Sequence, residues 1–389
     1  MFSVRILLIT QFLSALADNA LLFAAIALLK SQQAPDWNIP LLQEFFIAAY
    51  ILTAPFVGAF ADAIPKNRVL LMGTGLKLIG ALGFVAGLNP FACYALVGLG
   101  AAVYSPAKYG ILSELVGEER LVKANAWLES STILAILMGV LVGGKLSDVF
   151  LQGLIIGLAA VYALALIGTL FIERTPAPRP LQKVSFWQAS MGEFVPAVQT
   201  LWRDPEARLS LIGTSLFWSA GAVLRFLLIA WIPFVLLIEG NATVGYFNAA
   251  TAVGIVAGAM LAGRLIGLAD VRKALPAGVG IGLLVLVFSL QANFSLSLIL
   301  LAAIGLLGGF FVVPLNALLQ SRGHATVGPG RAIAVQNFFE NLGMLALMGV
   351  YLLLEKGDVT PIANGAVIGG VLLLSMSLLY RIRLAQSQR

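Results

Sequence analysis

Twelve apolar runs, each close to the length of a membrane span, constrain the fold of this chain more than any other feature. They cover residues 4–29, 41–61, 69–88, 91–115, 126–147, 151–172, 209–238, 242–266, 274–291, 296–320, 332–354 and 362–380. A helix needs about 20 apolar residues to cross the hydrocarbon core of a bilayer. The composition, 60% hydrophobic and 11% charged, also departs from that of soluble domains. The sequence therefore predicts an all-α integral membrane protein with twelve transmembrane helices.

The basic residues are distributed unequally between the two sides that these spans define. Most lie in the termini and the even-numbered connections, whereas only Lys30, Lys145 and Lys356 lie in the connections on the opposite side. Loops rich in Lys and Arg face the cytoplasm. We therefore expect both termini to be cytoplasmic. The net charge of +6 does not indicate nucleic-acid binding, because the basic residues are not gathered on one soluble face.

The two halves of the chain resemble each other at a distance of six spans. The matching segments are 104–108 with 312–316, 125–129 with 336–340, and 12–15 with 217–220. Repeats in the same orientation are typical of six-plus-six transporters, whose binding site lies between the halves near the membrane midplane. The sequence thus predicts two pseudo-symmetric six-helix bundles, residues 1–172 and 209–389, joined by a cytoplasmic linker, residues 173–208.

The linker has two parts. It begins with Pro176, Pro178 and Pro180, which favour an extended chain, and apolar residues then recur at helical spacing between Lys183 and Arg203. This pattern predicts an amphipathic helix. The helix could lie on the cytoplasmic membrane surface or pack on the bundle, and the pattern favours neither.

Three charged residues lie deep inside apolar runs: Asp18, Lys108 and Arg225. A charge at the centre of a bilayer costs about 2.5–3.5 kcal/mol on insertion scales, so it must face protein, water or a counter-charge. Charges of both signs inside the membrane indicate a polar cavity. We therefore expect the chain to move a solute across the bilayer.

The turn between spans two and three contains Gly58-x-x-x-Asp62 followed by Lys66 and Arg68. It resembles the cytoplasmic loop motif of the major facilitator superfamily, which implies that fold and a role of these residues in gating. The motif is altered here, because Ala63 stands where the family usually has arginine and Pro65 where it has glycine. A looser echo runs from Gly263 through Asp270 to Lys273.

In that superfamily, spans one, four, seven and ten line the central cavity, and each carries polar residues here. We expect cavity-facing side chains at Gln11, Asp18, Lys108, Trp218, Arg225 and Asn316. For Glu129, Glu340 and Lys77, which we place nearer the cytoplasmic ends, we expect structural contacts. Acidic and basic groups balance in this set, so it suits a zwitterion, and nearby aromatic residues suit a hydrocarbon chain. An amphiphile with a zwitterionic phosphate head would use both features.

Four strings of sequence carry a more specific resemblance: residues 11–23, 104–112, 213–218 with 225–228, and 308–320. They are similar to the lysophospholipid transporter (LplT) family of Gram-negative inner membranes. The resemblance implies inward movement of lysophosphatidylethanolamine and related lysolipids, which a separate acyltransferase/acyl-carrier-protein synthetase re-acylates. It also implies head-group contacts by Asp18, Lys108 and Arg225, and places Gln11, Asn19, Trp218 and Asn316 in the same strings.

Two other functions are alternatives to lysolipid transport. A proton-coupled exporter of amphipathic compounds would use Asp18 as its proton carrier, but Lys108 and Arg225 would repel cationic substrates. A membrane-embedded acyltransferase would need a base near an acid, and the single histidine, His324, has no acidic residue close to it in sequence. We expect neither enzymatic activity nor a bound cofactor or metal.

Overall fold

The computed structural model describes residues 2–33, 38–176, 186–238 and 241–387, and the regular structure within these ranges is helical. The helices are α1 (Phe2–Ser31), α2 (Asn38–Ala63), α3 (Lys66–Val85), α4 (Pro90–Val116), α5 (Glu118–Val149), α6 (Leu151–Thr169), α7 (Phe186–Arg203), α8 (Pro205–Trp231), α9 (Asn241–Leu265), α10 (Leu275–Leu290), α11 (Phe294–Ala325), α12 (Pro329–Lys356) and α13 (Pro361–Ser387). A π-helical turn, Ile232–Leu236, extends α8, and a 3-10 segment, Leu268–Ala274, precedes α10. Twelve helical segments in the described ranges are long and apolar enough to cross a membrane, which confirms the predicted all-α architecture.

Several helices extend beyond the apolar runs that predicted them. Helix α5 begins at Glu118, eight residues before the predicted run. Helix α11 continues to Ala325, so the exposed His324 lies in its last turn and not in a connection. The reason is that hydropathy detects only the part of a helix that matches the hydrocarbon core, whereas the hydrogen-bonded helix continues through polar residues.

Local signals mark the starts of the helices. The side chain of Asn89 accepts hydrogen bonds from the backbone N–H groups of Phe91 and Ala92 and so caps α4. Asp204 caps α8 in the same way. Each cap satisfies backbone donors that have no partner inside the helix.

The chain forms two compact units. The first comprises Met1–Gly117, Ser131–Arg203 and Gln320–Phe338, and the second comprises Glu118–Ser130, Asp204–Leu319 and Phe339–Arg389. Helices α5, α11 and α12 therefore each contribute residues to both units. The sequence predicted a different kind of division, into the consecutive segments 1–172, 173–208 and 209–389. That division stays a prediction.

The same pattern of helix packing recurs six spans apart. In the first unit α6 packs on α1 and α3, and in the second α13 packs on α8 and α10. Proline lies inside both α4 and α11, at Pro106 and Pro314 of the matching segments. Glycine allows α3 and α4 to approach closely. A Cβ added at Gly73 of α3 would lie only 2.8 Å from the carbonyl oxygen of Gly100 in α4, so a larger residue would not fit without a shift.

Helix α7, Phe186–Arg203, is the predicted linker helix. It packs on α2, with Ala197 and Leu201 buried and Trp202 exposed. The Phe194 ring lies edge-on to Phe338 of α12, with 5.7 Å between ring centroids. Packing on the bundle, one of the two placements left open, is therefore observed. Pro178 and Pro180 of the predicted extended segment, and Lys183 at the start of the predicted helical pattern, lie outside the described ranges.

Candidate functional site

Asp18 lies at the centre of a polar cluster in the first unit. Lys77 of α3 donates a hydrogen bond to Asp18 Oδ2 at 2.6 Å and to Ser14 Oγ at 2.9 Å. The hydroxyl of Tyr162 in α6 donates to Asp18 Oδ1 at 2.8 Å. Both carboxylate oxygens of Asp18 thus have a partner within the first unit. These contacts explain how a carboxylate is tolerated at this depth.

The contact made by Lys77 corrects our expectation of its depth. We expected it nearer the cytoplasmic end of α3, whereas it reaches Asp18 in the middle of α1. Its ammonium also lies 5.2 Å from the centre of the Tyr104 ring. Glycine makes room for the side chain, since a Cβ added at Gly100 would lie 2.7 Å from Lys77 Cγ.

Tyr162 belongs to the polar cluster around Asp18, and it was not among the residues predicted from the sequence. It is fully buried in α6. A buried tyrosine hydroxyl usually has a hydrogen-bond partner, so a tyrosine in an otherwise apolar run was an available signal. Its partner could not be identified from the sequence, because the two residues are 144 positions apart.

Gln11 and Asn19 make contacts within the bundle. The Gln11 amide donates to Thr132 Oγ1 of α5 at 3.2 Å, and Gln11 is buried. The Asn19 amide donates to the carbonyl of Ala15, one turn earlier in α1, at 2.8 Å. Both side chains therefore have structural partners, and a role of either in substrate binding stays a prediction.

Lys108 is buried in α4, one turn beyond Tyr104. Its ammonium lies 4.3 Å from the centre of the Tyr109 ring, a distance typical of a cation–π contact. Ser105, on the same helix, accepts a hydrogen bond of 3.0 Å from the Asn337 amide of α12. A buried cation of this kind can bind an anionic group that enters beside it.

Arg225 differs from the other deep charges because it is exposed. It lies well inside α8, and it has no ion pair or hydrogen bond among the residues that the structure describes. Trp218, half-buried and two turns earlier, stacks edge-on with Phe217 at 5.4 Å between centroids. An unpaired guanidinium inside a spanning helix faces water or an anion, because exposure to lipid is too costly.

Asn316 belongs to the second unit and contacts Glu129 there. Its amide donates to Glu129 Oε1 at 3.1 Å, and both residues are buried. Glu129 is the twelfth residue of α5, and Glu340, also buried, is the twelfth residue of α12. The repeat seen in the sequence is therefore preserved in the register of the helices. The structural role predicted for Glu129 and the substrate contact predicted for Asn316 both stay predictions.

Asp62 holds the start of α12 within the first unit. Its fully buried carboxylate accepts hydrogen bonds from the backbone N–H of Gly330 at 2.7 Å and of Arg331 at 3.0 Å. These amides lie in the first turn of α12, where the helix dipole also favours an anion. Both Lys66 Nζ and Arg331 Nη1 lie 3.6 Å from the carboxylate. Asp62 thus caps a helix that is remote in sequence.

The two basic residues of the motif have different environments. Lys66 is fully buried, and its ammonium lies 3.0 Å from Glu114 Oε1 at the end of α4. The side chain of Arg68 is exposed and has no ion pair in the described part of the chain. The structure therefore brings Asp62 and Lys66 together with α12 and leaves Arg68 outside the cluster.

The corresponding turn of the second half contains no equivalent carboxylate. Gly267 occupies the position that matches Asp62, four residues after Gly263. Asp270 instead pairs with Lys273 at 2.9 Å on an exposed surface. The looser resemblance in sequence thus corresponds to a different local structure.

The chemistry available to these residues is binding by charge and hydrogen bonds. In the first unit Lys108 can offer a point charge to an anion, and in the second unit Arg225 can form two parallel hydrogen bonds with a phosphate. No group of three or more His, Cys, Asp or Glu residues within the described ranges could hold a metal ion.

Comparison with known proteins identifies the family. The family model described as Major Facilitator Superfamily matches residues 7–348. A lysophospholipid transporter LplT of Enterobacter sp. (strain 638) is 52% identical over 367 residues, covering 94% of this chain and 92% of that protein. The protein of the same name from Yersinia pestis (strain Pestoides F) is 53% identical and covers 92% of this chain and 88% of that protein.

Solved structures agree on the fold. The transporter FucP in the outward conformation has a TM-score of 0.77 and 14% identity, and 98% of each chain is covered. A bacterial homologue of the iron transporter ferroportin in an outward-facing state has a TM-score of 0.74 and 19% identity over the whole of both chains. At these identities the likeness concerns the fold alone.

Proposed function

This chain belongs to the lysophospholipid transporter (LplT) family of the major facilitator superfamily, and we propose that it moves lysophospholipids from the outer to the inner leaflet of the bacterial inner membrane. The substrates would be lysophosphatidylethanolamine and related lysolipids. The name of the relatives at 52–53% identity supports the substrate class. The fold, with its twelve spans, supports transport by alternating access.

The observation that carries the proposal is the environment of Arg225. It is an exposed guanidinium well inside a spanning helix, and in the described part of the chain no carboxylate neutralises it. A lysolipid phosphate would supply the missing negative charge. The two non-bridging oxygens of the phosphate match the paired N–H donors of the planar guanidinium. The hydrocarbon chain of the lipid would remain in contact with apolar side chains or with the membrane.

The contacts of Asp18 bear on its proposed role. Its carboxylate is engaged by Lys77 and Tyr162 in this structure, so an ammonium head group would have to share or replace those partners. We propose that Lys108 and Arg225 bind the phosphate, and that Asp18 contacts the ammonium and also sets the position of Lys77. A substrate without an ammonium would then depend on Arg225 but less on Asp18.

Re-acylation in the inner leaflet would remove the product and make the movement effectively one-way. We propose a separate acyltransferase/acyl-carrier-protein synthetase as the functional partner that carries out this step. We also propose the orientation that the distribution of Lys and Arg predicts, with both termini in the cytoplasm.

The decisive experiment is uptake of labelled lysophosphatidylethanolamine by proteoliposomes containing the wild type, Arg225→Lys or Arg225→Gln. A charge-assisted hydrogen bond contributes about 1.5–3 kcal/mol, so we expect Arg225→Gln to reduce uptake about tenfold or more. Arg225→Lys should retain an intermediate activity, because lysine keeps the charge but lacks the fork.

Arg120→Gln is a matched control, since Arg120 is an exposed arginine in the first turns of α5. Its removal should leave uptake unchanged. Absence of uptake by the wild type would refute the lysolipid assignment. Loss of wild-type uptake on addition of an uncoupler would instead support the proton-coupled alternative.

A further inference from the structure

The second unit contains a cleft that the proposed transport does not use. Its volume is about 150 Å³. It is lined by Lys123, Ala126 and Trp127 of α5 and by Met260, Gly263 and Arg264 of α9. The α5 residues lie in the first turns of that helix, and the α9 residues lie in the last turns of theirs. The cleft is therefore at the end of both helices and not in the middle of the spans.

The cleft exists because the two helices are in close contact at its floor. A Cβ added at Gly263 would lie 2.6 Å from the Cβ of Ala126. The small residues allow the backbones to approach, and Lys123, Trp127 and Arg264 carry long side chains beside this contact. A recess between long side chains is the result.

Two basic residues border the cleft, whose wall is almost wholly apolar. Lys123 and Arg264 are both exposed, and neither has an ion pair or a hydrogen bond to its side chain in the described ranges. An anion that binds between two neighbouring cations is attracted by both. Guanidinium and ammonium groups together are a common binding set for phosphate.

The apolar part of the cleft indicates which anion would bind. Trp127 is 48% exposed, and tryptophan is enriched at the level of lipid head groups. Leu261 and Leu265 of α9 are also exposed, one helical turn apart and next to the residues of the cleft. An acyl chain could follow these leucines into the membrane, whereas a free phosphate would make no use of them.

We propose that this cleft binds the phosphate of an anionic phospholipid, such as phosphatidylglycerol, from the cytoplasmic leaflet. Both cations lie at helix ends that the distribution of Lys and Arg assigns to the cytoplasmic side, where basic pockets between spanning helices bind anionic lipids. The proposal depends on that orientation and not on the identity of the transported substrate. It describes a bound membrane lipid and not a second transport path.

The test is native mass spectrometry of the full chain in detergent, titrated with dioleoyl-phosphatidylglycerol, dioleoyl-phosphatidylcholine or inorganic phosphate. We expect the wild type to retain phosphatidylglycerol in preference to phosphatidylcholine of the same chain length. The double variant Lys123→Gln/Arg264→Gln should lose about thirtyfold in affinity for phosphatidylglycerol, since both basic residues would be missing.

Arg120→Gln/Lys273→Gln is the matched control, because it removes two other exposed cations from the same side and changes the net charge equally. It should keep the wild-type affinity. Arg225→Gln should also keep it, which separates this cleft from the proposed substrate site.

Three results would overturn the proposal. The first is an equal loss of affinity in the control variant, which would indicate a general charge effect. The second is equal retention of the two lipids, or competition by inorganic phosphate as strong as that by the lipid. The third is loss of binding in Arg225→Gln alone, which would place the lipid at the transport site. A failure to observe lysolipid uptake would alter none of these readouts.

Discussion

Lys77 and Asp18 form an ion pair of 2.6 Å that joins α3 to α1 inside the first unit. The side chain of Lys77 is 3% exposed and that of Asp18 is 16% exposed. The pair brings together two charges that would each be costly alone in the membrane. It also explains why loss of function in a variant of Asp18 would not by itself establish contact with a substrate.

The first prediction concerns the stability of this pair. Asp18→Asn or Lys77→Gln should each destabilise the protein by about 3–5 kcal/mol, because each leaves its buried partner uncompensated. The double variant should recover a large part of this loss. Thermal unfolding in detergent can be followed with a thiol-reactive dye, since the single cysteine, Cys93, is buried and free. Additive effects in the double variant would contradict the coupling.

A second prediction separates Tyr162 from the ion pair. Tyr162→Phe removes only the hydroxyl that donates to Asp18 Oδ1. A hydrogen bond to a charged group contributes about 1.5–3 kcal/mol, so the unfolding temperature should fall, but less than in Asp18→Asn. In the Asp18→Asn background the same change should cost less. An equal cost in both backgrounds would show that the hydroxyl acts independently of the charge.

The third prediction compares two carboxylates that share the partner Arg331. Asp62 is fully buried and caps α12, whereas the side chain of Glu193, in α7, is 51% exposed. Asp62→Asn should destabilise the protein by about 1–3 kcal/mol, because one of the two buried backbone N–H groups loses its acceptor, while Glu114 and Glu193 still pair with Lys66 and Arg331. Glu193→Gln should cost about 1 kcal/mol or less, as exposed ion pairs contribute little.

The same pair of variants tests gating. If Asp62 holds the start of α12 during part of the transport cycle, Asp62→Asn should also change the rate of lysolipid uptake at a temperature where the protein remains folded. Glu193→Gln should leave that rate near the wild-type value. Equal uptake rates in both variants and the wild type would limit Asp62 to a structural role.

The fourth prediction concerns Gly58, which faces α12. A Cβ added there would lie 2.8 Å from both Ala334 Cβ and Arg331 Cα, so Gly58→Ala forces α2 and α12 apart. We expect a loss of stability of about 1–3 kcal/mol, as for overpacked cores. Gly75→Ala is the control, because nothing lies within 4 Å of its added Cβ. It should be neutral or stabilising by up to about 1 kcal/mol. A similar loss in Gly75→Ala would indicate that any alanine in a spanning helix is harmful.

The candidate site could be predicted only in part. Asp18 is recognisable as a buried charge from its apolar neighbours, but its partner Lys77 is 59 positions away. Asp62 and Gly330 are 268 positions apart. In both cases the cost of burying a charge indicates that a partner must exist, while the choice among several cations or helix ends depends on how the helices pack.

The sequence by itself determined the twelve spans, the repeat of six and the family. These features depend on local hydropathy and on short strings that keep their register, and each can be recognised without knowing which helices touch. The tertiary structure decided that Lys77 belongs with Asp18, that Asp62 caps α12, and that Arg225 has no protein partner in the described residues. The physical reason is that an ion pair or a cap forms over a few ångströms, and only packing brings residues from distant helices to that distance.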